Sequence, residues 1–133
     1  MHPDFQRADK LSSEVIGAAV EVHRVMGPGL LERIYEKCLV RELELRGIPS
    51  VSQDRVRIEY KGIVFTEELK FDLLIAGCLL LELKAVNEVH PKHKAQLLSY
   101  MKLTNVPLGL LLNFHEIKLV DGMSRVILRG ADA

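Results

Sequence analysis

Cysteine is scarce. Cys38 and Cys78 are the only two in the 133-residue chain, too few for a four-cysteine zinc or iron–sulfur site. Both sit in apolar, periodic segments and read as small core residues of a reducing compartment. No long hydrophobic run is present: the longest, Leu73 to Leu81, is nine residues, and a helix that short cannot cross a bilayer. Met1-His2-Pro3-Asp4-Phe5 lacks the basic-then-apolar pattern of a signal peptide, so the expected location is cytoplasmic, with no membrane partner. Excess charge is also missing. Eighteen Lys plus Arg balance eighteen Asp plus Glu, which argues against coating nucleic acid by bulk charge. There is no Gly-rich phosphate loop, Ser–His–Asp constellation, nucleotide fingerprint, internal repeat, linker or low-complexity stretch.

What is there suits one domain. Apolar residues make up 48% and charged residues 27%, a globular composition, and a chain this long buries roughly two-thirds of its unfolded surface. Residues 1–10 are polar and read as a flexible leader, leaving 11–133 as a single domain. Leu11, Val15, Ala18, Ala19, Val22 and Val25 recur at helical spacing, predicting a helix over 12–25 that is capped by Ser12 or Ser13 and ended by Gly27-Pro28-Gly29. A second helix is expected from about Leu30 to Arg46, with Gly47 after it. Residues 54–60 then alternate, with Val56, Ile58 and Tyr60 against Arg55, Arg57 and Glu59, and read as a half-buried strand turned by Lys61-Gly62. Strands follow at 64–75 and 78–86, then a helix over 91–103 with Pro91 in its first turn and a buried strand over 108–114. Ile117–Val120 and Arg125–Leu128 flank Asp121-Gly122, a hairpin signal. The predicted order is ααβββαβββ.

Glu82 and Lys84 stand two apart in an otherwise apolar strand and share a face, with Leu79, Leu81, Leu83 and Ala85 on the other. An internal ion pair on a half-exposed sheet is the plain explanation. Hairpin parity adds Asp72. A two-residue loop, Ala76-Gly77, sets Asp72 opposite Leu81 and mixes both faces. A three-residue loop, Ile75-Ala76-Gly77, with Gly77 left-handed sets Asp72 opposite Leu80, and Asp72, Glu82 and Lys84 then share one face while Phe71, Leu73, Leu79, Leu81, Leu83 and Ala85 fill the other. Register follows the hydrophobic pattern, so the three-residue loop is expected. Two carboxylates on neighbouring strands suit a hard cation, Mg²⁺ or Mn²⁺, which polarises a phosphodiester and acidifies a bound water. A lysine beside them can orient that water or offset charge growing on the phosphate.

Other residues point the same way. Gln96 and Tyr100 are an i, i+4 pair on one helix face, near His93. Lys92, His93 and Lys94 fall in the stretch from Val89 to His115 that has no acidic residue, and are candidate phosphate contacts; a solvated helix face is the bland alternative. Glu32 lies at the edge of the apolar sector of its helix, where a carboxylate needs a partner or a metal. Glu42 lies in the same sector, so position alone does not single Glu32 out.

Gly29-Leu30-Leu31-Glu32-Arg33-Ile34-Tyr35 has the form G-x-x-E-x-x-Y. With Asp72, Glu82-Leu83-Lys84 and Gln96-Leu97-Leu98-Ser99-Tyr100, it resembles the GxxExxY family of the PD-(D/E)XK nuclease superfamily, in its RecB-type, Q-x-x-x-Y branch. The resemblance spans roughly residues 11 to 128; Phe71 stands where the proline of the superfamily motif would be. It implies a restriction-endonuclease-like α/β fold, a mixed central sheet flanked by helices. It also implies that Asp72, Glu82 and the Leu83 carbonyl bind Mg²⁺, with Glu32 as a further acidic ligand, direct or through water. Lys84 would then be the catalytic lysine, supported by Gln96 and Tyr100, while Tyr35 would pack beside Glu32 or bond to it and belong to the substrate-binding set.

Two functions of different classes compete. One is a metal-dependent nuclease acting on nucleic acid, DNA before RNA. The other is a catalytically silent nuclease fold that binds nucleic acid or a protein. Acids, lysine, Gln and Tyr all in place favour the enzyme. A structural oligomer, in the simplest case a homodimer joined through the C-terminal strands, is a third reading, because exposed strand edges invite pairing.

Overall fold

The structure is a computed structural model describing residues 1–133. Helix α1 (Phe5–Met26) and helix α2 (Glu32–Leu45) precede strands β1 (Ser50–Tyr60), β2 (Ile63–Ile75) and β3 (Leu79–Lys84). Helix α3 (Pro91–Thr104), strand β4 (Leu108–Asn113), a 3₁₀ turn (Leu119–Gly122) and strand β5 (Met123–Ile127) complete the chain. The strands form one sheet in the order β1-β2-β3-β4-β5. Only β3 and β4 run parallel, which requires the crossover that α3 supplies. A mixed sheet between helices is the architecture expected from the sequence.

Both sheet faces are covered, and the sequence shows why. In β3, Leu79, Leu81 and Leu83 join Leu108, Leu110 and Leu112 of β4 in a core with Val15, Ala18, Ala19 and Val22 of α1 and Tyr35, Leu39 and Leu43 of α2. The intervening Leu80 and Leu111 join Leu74, Phe71 and α3 residues Leu97 and Met101 on the opposite face. Fully burying each such side chain is worth about 1.5–3 kcal/mol. Gly109 lets α3 approach β4 closely: a Cβ there would stand 2.7 Å from Met101 Sδ and 3.2 Å from Leu97.

Three elements depart from expectation. Helix α1 begins at Phe5 rather than near Ser12, so part of the expected leader forms its first turns. Ala8 is fully buried, Arg7 donates to the Ala76 carbonyl at 2.9 Å, and Asp9 pairs with Arg125 at 2.6 Å. Ser12 is not a cap; its hydroxyl donates to the Asp9 carbonyl within the helix. Second, Ile117–Val120 is not a strand. The chain there closes into the 3₁₀ turn Leu119–Gly122, which packs tightly on the end of β4 (a Cβ at Gly122 would stand 2.5 Å from the Asn113 carbonyl oxygen), and β5 pairs with β4 alone, its outer edge left open. Of the segment's apolar residues only Leu119 turns inward, while Ile117 is 81% exposed. Third, Phe71 packs on the α3 face with Leu74, not with Leu73. Between the pairs Val51–Leu74 and Gln53–Lys70, three β2 residues (71–73) face the single β1 residue Ser52. That bulge breaks strict alternation.

Candidate active site

The site grows from the β2–β3 hairpin. Ile75 pairs with Leu79, Leu74 with Leu80 and Leu73 with Leu81, so the three-residue loop is Ala76-Gly77-Cys78. Ala76 and Gly77 are both left-handed, at φ 49° and 71°, and Cys78 N–H closes the turn on the Ile75 carbonyl at 3.0 Å. The loop length is as expected, but the register is shifted by two. Extending the ladder puts Asp72 opposite Glu82, not Leu80. A shift of two keeps every β3 side chain on its face, which is why the grouping survives.

The ladder stops there because a side chain replaces it: Leu83 N–H donates to Asp72 Oδ2 at 2.6 Å. N–H and C=O of one strand residue leave on the same edge, so the Leu83 carbonyl lies on the Asp72 side, where pairing has ended. Lys84 Nζ stands 3.2 Å from Glu82 Oε1, both side chains mostly buried at 17% and 10% exposure. The Lys84 carbonyl accepts from Phe114 N–H at 2.8 Å. Glu32 is the first residue of α2, where the helix dipole favours a carboxylate. Its Oε2 accepts from Ala85 N–H at 3.4 Å, one residue past Lys84.

Helix α3 closes the other wall. Lys70, Phe71, Asp72, Glu82, Gln96 and Tyr100 line an open cleft of about 140 Å³. His90 caps the helix, its ring accepting from Lys92 N–H at 3.0 Å, and His93 Nδ1 accepts from His90 N–H at 3.3 Å. A neutral His93 therefore carries its proton on Nε2 and can donate it. Burial, then the charge of Lys84, hold the His93 pKa below the ordinary imidazole value.

The carboxylates are electrostatically uncomfortable. Burial is the largest cause raising the Asp72 pKa; the Leu83 N–H and Lys84 oppose it and Glu32 adds to it. Glu82 is raised by burial and then by Asp72, with Lys84 only partly offsetting them. Glu36 is raised by burial, then by Asp72 and Glu32. Two oxygen donors of like charge with a backbone carbonyl beside them form a hard-ligand set, and Mg²⁺ characteristically takes one or two carboxylates and keeps several waters. The donor chemistry fits such an ion. No three His, Cys, Asp or Glu groups converge tightly enough to hold a metal by themselves.

The structure thus brings together Asp72, Glu82, the Leu83 backbone, Lys84, Glu32, Gln96 and Tyr100. Lys92 and Lys94 lie exposed on the first turns of α3, outside the cleft lining. Tyr35 is not where the sequence reading put it. It is fully buried and stacked on Phe114 at 4.5 Å. Its hydroxyl donates to the Gly27 carbonyl at 2.6 Å and accepts from Leu30 N–H at 3.1 Å, which pins the α1–α2 connection instead of meeting substrate. Three residues escaped the sequence reading. Glu36 follows Glu32 by one helical turn, a spacing that could have found it. Lys70 stands two before Asp72. Asn113, a polar residue ending an apolar strand, bridges Val86 on both sides, Nδ2 donating to its carbonyl at 2.9 Å and Oδ1 accepting its N–H at 3.1 Å. It thereby fixes the chain just after Lys84.

Comparison with known proteins bears on this arrangement. No curated protein and no solved structure gives a significant match. The family profile described as the PD-(D/E)XK nuclease superfamily matches residues 9–126, a span that contains every residue of the cleft. With most of the chain covered, this protein belongs to the PD-(D/E)XK nuclease superfamily.

Proposed function

We propose that the chain is a divalent-metal-dependent nuclease of the GxxExxY branch that hydrolyses phosphodiester bonds in nucleic acid, DNA before RNA. One observation carries the reading: Asp72 and Glu82 meet where β2 leaves β3, with the Lys84 ammonium 3.2 Å from Glu82 Oε1, in a cleft walled by Gln96 and Tyr100. Asp72, Glu82 and the Leu83 carbonyl would hold Mg²⁺ or Mn²⁺, with Glu32 as a further acidic ligand. The bound ion supplies Lewis acidity toward the phosphate and a more acidic water.

The chain's own groups supply the rest. The Lys84 ammonium offers fixed positive charge for the negative charge growing on a phosphate oxygen; preorganised charge of this kind is worth more in a half-buried site than in water. Its position is set from behind by Phe114 N–H on the Lys84 carbonyl. The Gln96 amide and the Tyr100 hydroxyl orient the substrate strand against the opposite wall. Lys92, Lys94 and the His93 Nε2–H at the start of α3 contact flanking phosphates. Each phosphate that Lys92 or Lys94 neutralises adds to the salt dependence of substrate affinity.

The test is cleavage of labelled single-stranded, double-stranded and branched DNA by the wild type and by Lys84→Ala, with Mn²⁺ or with chelator. The expected result is Mn²⁺-dependent cleavage by the wild type alone, with both proteins equally folded by circular dichroism. Equal cleavage by Lys84→Ala would overturn the reading. A well-folded wild type that binds DNA but cuts none of these substrates would favour the silent binding module.

A further inference from the structure

The β1–β2 hairpin outruns the body of the protein. Its distal half, residues 54–60 and 63–69, is exposed except for Val56, Ile58 and Leu69. Tyr60, Ile63, Val64 and Phe65 are 60%, 59%, 49% and 42% exposed. Register places Val56, Ile58 and Tyr60 beside Glu67, Phe65 and Ile63 on one face. The ribbon thus carries an apolar stripe with no helix over its outer part, and a two-stranded ribbon in water is marginal by itself. β1 is also an edge of the sheet. It contains no proline, and its pairing with β2 is regular from Gln53 to Tyr60, so neither a proline nor a bulge blocks this part of the edge, which is left to the charges of Arg55, Arg57 and Glu59.

Charge decides what covers it. Between residues 54 and 69 stand three basic residues (Arg55, Arg57, Lys61) and four acidic ones (Asp54, Glu59, Glu67, Glu68). A ribbon without positive excess is a poor match for a phosphate backbone. It is a good match for itself. Tyr60 and Ile63 flank the two-residue turn Lys61-Gly62, whose φ values are 44° and 89°. That geometry makes them a mutually hydrogen-bonded pair, so Tyr60, Ile58 and Val56 bond inward to β2, while Arg55, Arg57 and Glu59 turn their N–H and C=O to the free edge.

An antiparallel, two-fold pairing of β1 with a second β1 has three registers that satisfy this edge near the tip. Centred on Val56, it sets Arg55 against Arg57 twice. Centred on Arg57, it sets Arg55 against Glu59 twice and Val56 against Ile58 twice, but places Arg57 against its own copy at the two-fold axis. Centred on Ile58, it sets Arg57 against Glu59 twice and Val56 against Tyr60 twice; Arg55 then faces Lys61, but Lys61 belongs to the turn beyond β1, so this is the one register of the three with no like-charge pair between strand residues.

We infer that the free edge of β1 is a dimer interface for a second copy of this chain, in antiparallel register about Ile58, merging the two sheets and their apolar stripes. Like any two-fold contact it is isologous. It uses the edge opposite the C-terminal strand β5.

The test is oligomeric state by sedimentation of the full chain, with the register read by cysteine trapping in a Cys38→Ser background. The wild type should be a concentration-dependent dimer. Arg57→Glu and Glu59→Arg should each weaken dimerisation about tenfold or more, because two attractive cross-strand pairs become repulsive, and the double exchange Arg57→Glu/Glu59→Arg should restore it. Ile58→Cys should form an intermolecular disulfide alone, since a non-hydrogen-bonded pair brings Cα atoms to about 4.5 Å. Val56→Cys and Tyr60→Cys should cross-link to each other only when mixed. The substituted side chains other than Val56, Ile58 and the half-buried Cys38 are exposed, and circular dichroism checks folding throughout. A monomeric wild type, a dimer indifferent to both charge reversals, or a monomer whose DNA affinity falls on ribbon substitution would each overturn the inference, the last assigning the ribbon to nucleic acid.

Discussion

Replacing Lys84 by methionine keeps the length of the side chain and removes its charge beside Glu82. At 3.2 Å and an effective dielectric of 20, the gross attraction is about 5 kcal/mol. Desolvation of two mostly buried groups cancels much of it, yet removing one partner leaves the other carboxylate uncompensated, at a cost of about 2–4 kcal/mol. For a chain of this size that corresponds to a fall in Tm of roughly 6–15 °C at neutral pH. The loss should depend on pH in a definite direction. Burial and Asp72 already raise the Glu82 pKa, and without Lys84 it rises further. A carboxyl with a raised folded-state pKa costs stability only where it is ionised, so stability falls as pH rises from the ordinary carboxylate range through the raised value and recovers as pH is lowered. Thermal melts from about pH 8 to about pH 5 should therefore show the gap between wild type and Lys84→Met narrowing on acidification. Adding Glu82→Gln to Lys84→Met should recover most of the lost stability. A gap constant with pH, together with no recovery in the double variant, would refute the view that a charged Glu82–Lys84 pair sits in this cleft.

Mg²⁺ or Mn²⁺ at about ten times its Kd should stabilise the wild type by about 1.4 kcal/mol, seen as a rise in Tm, and Glu82→Gln should lose most of that response; equal responses would count against Glu82 as a ligand. Without metal, Asp72→Asn should melt no lower than wild type at neutral pH despite its bond to Leu83, since burial and Glu32 already penalise the charged form; a large fall in Tm would contradict this. Tyr35→Phe removes a buried hydroxyl that bonds both Gly27 and Leu30, and denaturant melts should show a loss of about 1–3 kcal/mol while DNA affinity at permissive temperature stays the same. Gly109→Ala should cost about 1–3 kcal/mol by overpacking Met101 and Leu97, again read by denaturant melts.

Much of this architecture was legible because the apolar residues of α1 and α2 recur at helical spacing and β3 and β4 are short apolar runs, as strands buried on both faces are. The grouping of Asp72 with Glu82 and Lys84 came from hairpin parity, and parity tolerates a register error of two. The error arose at Ala76, whose left-handed backbone runs against the preference of alanine, so a turn with Gly77 as its only left-handed residue was expected. The first turns of α1 were invisible because Arg7 and Asp9 look like solvent residues until Ala76 and Arg125 come near them in space. Ile117 and Leu119 alternate as in a strand, but the close fit of Gly122 against the Asn113 carbonyl turns the chain into a 3₁₀ helix at the end of β4, a tertiary contact with no local sequence signal. The role of Tyr35 was misread for a related reason: the hydroxyl's partners are backbone groups of the α1–α2 connection, which carry no sequence signature. Glu36 and Asn113 needed a view of neighbouring elements, although each left a trace, a helical repeat of Glu32 and a polar end to an apolar strand.

In the proposed nuclease, Asp72 and Glu82 share one divalent cation beside Lys84. Anomalous diffraction from crystals soaked in Mn²⁺ tests it most directly. A peak is expected between the two carboxylates, within about 2.0–2.6 Å of their oxygens, and should disappear in Glu82→Gln. An open, undistorted cleft with no peak there, or a peak bound only by residues outside the cleft, would contradict it.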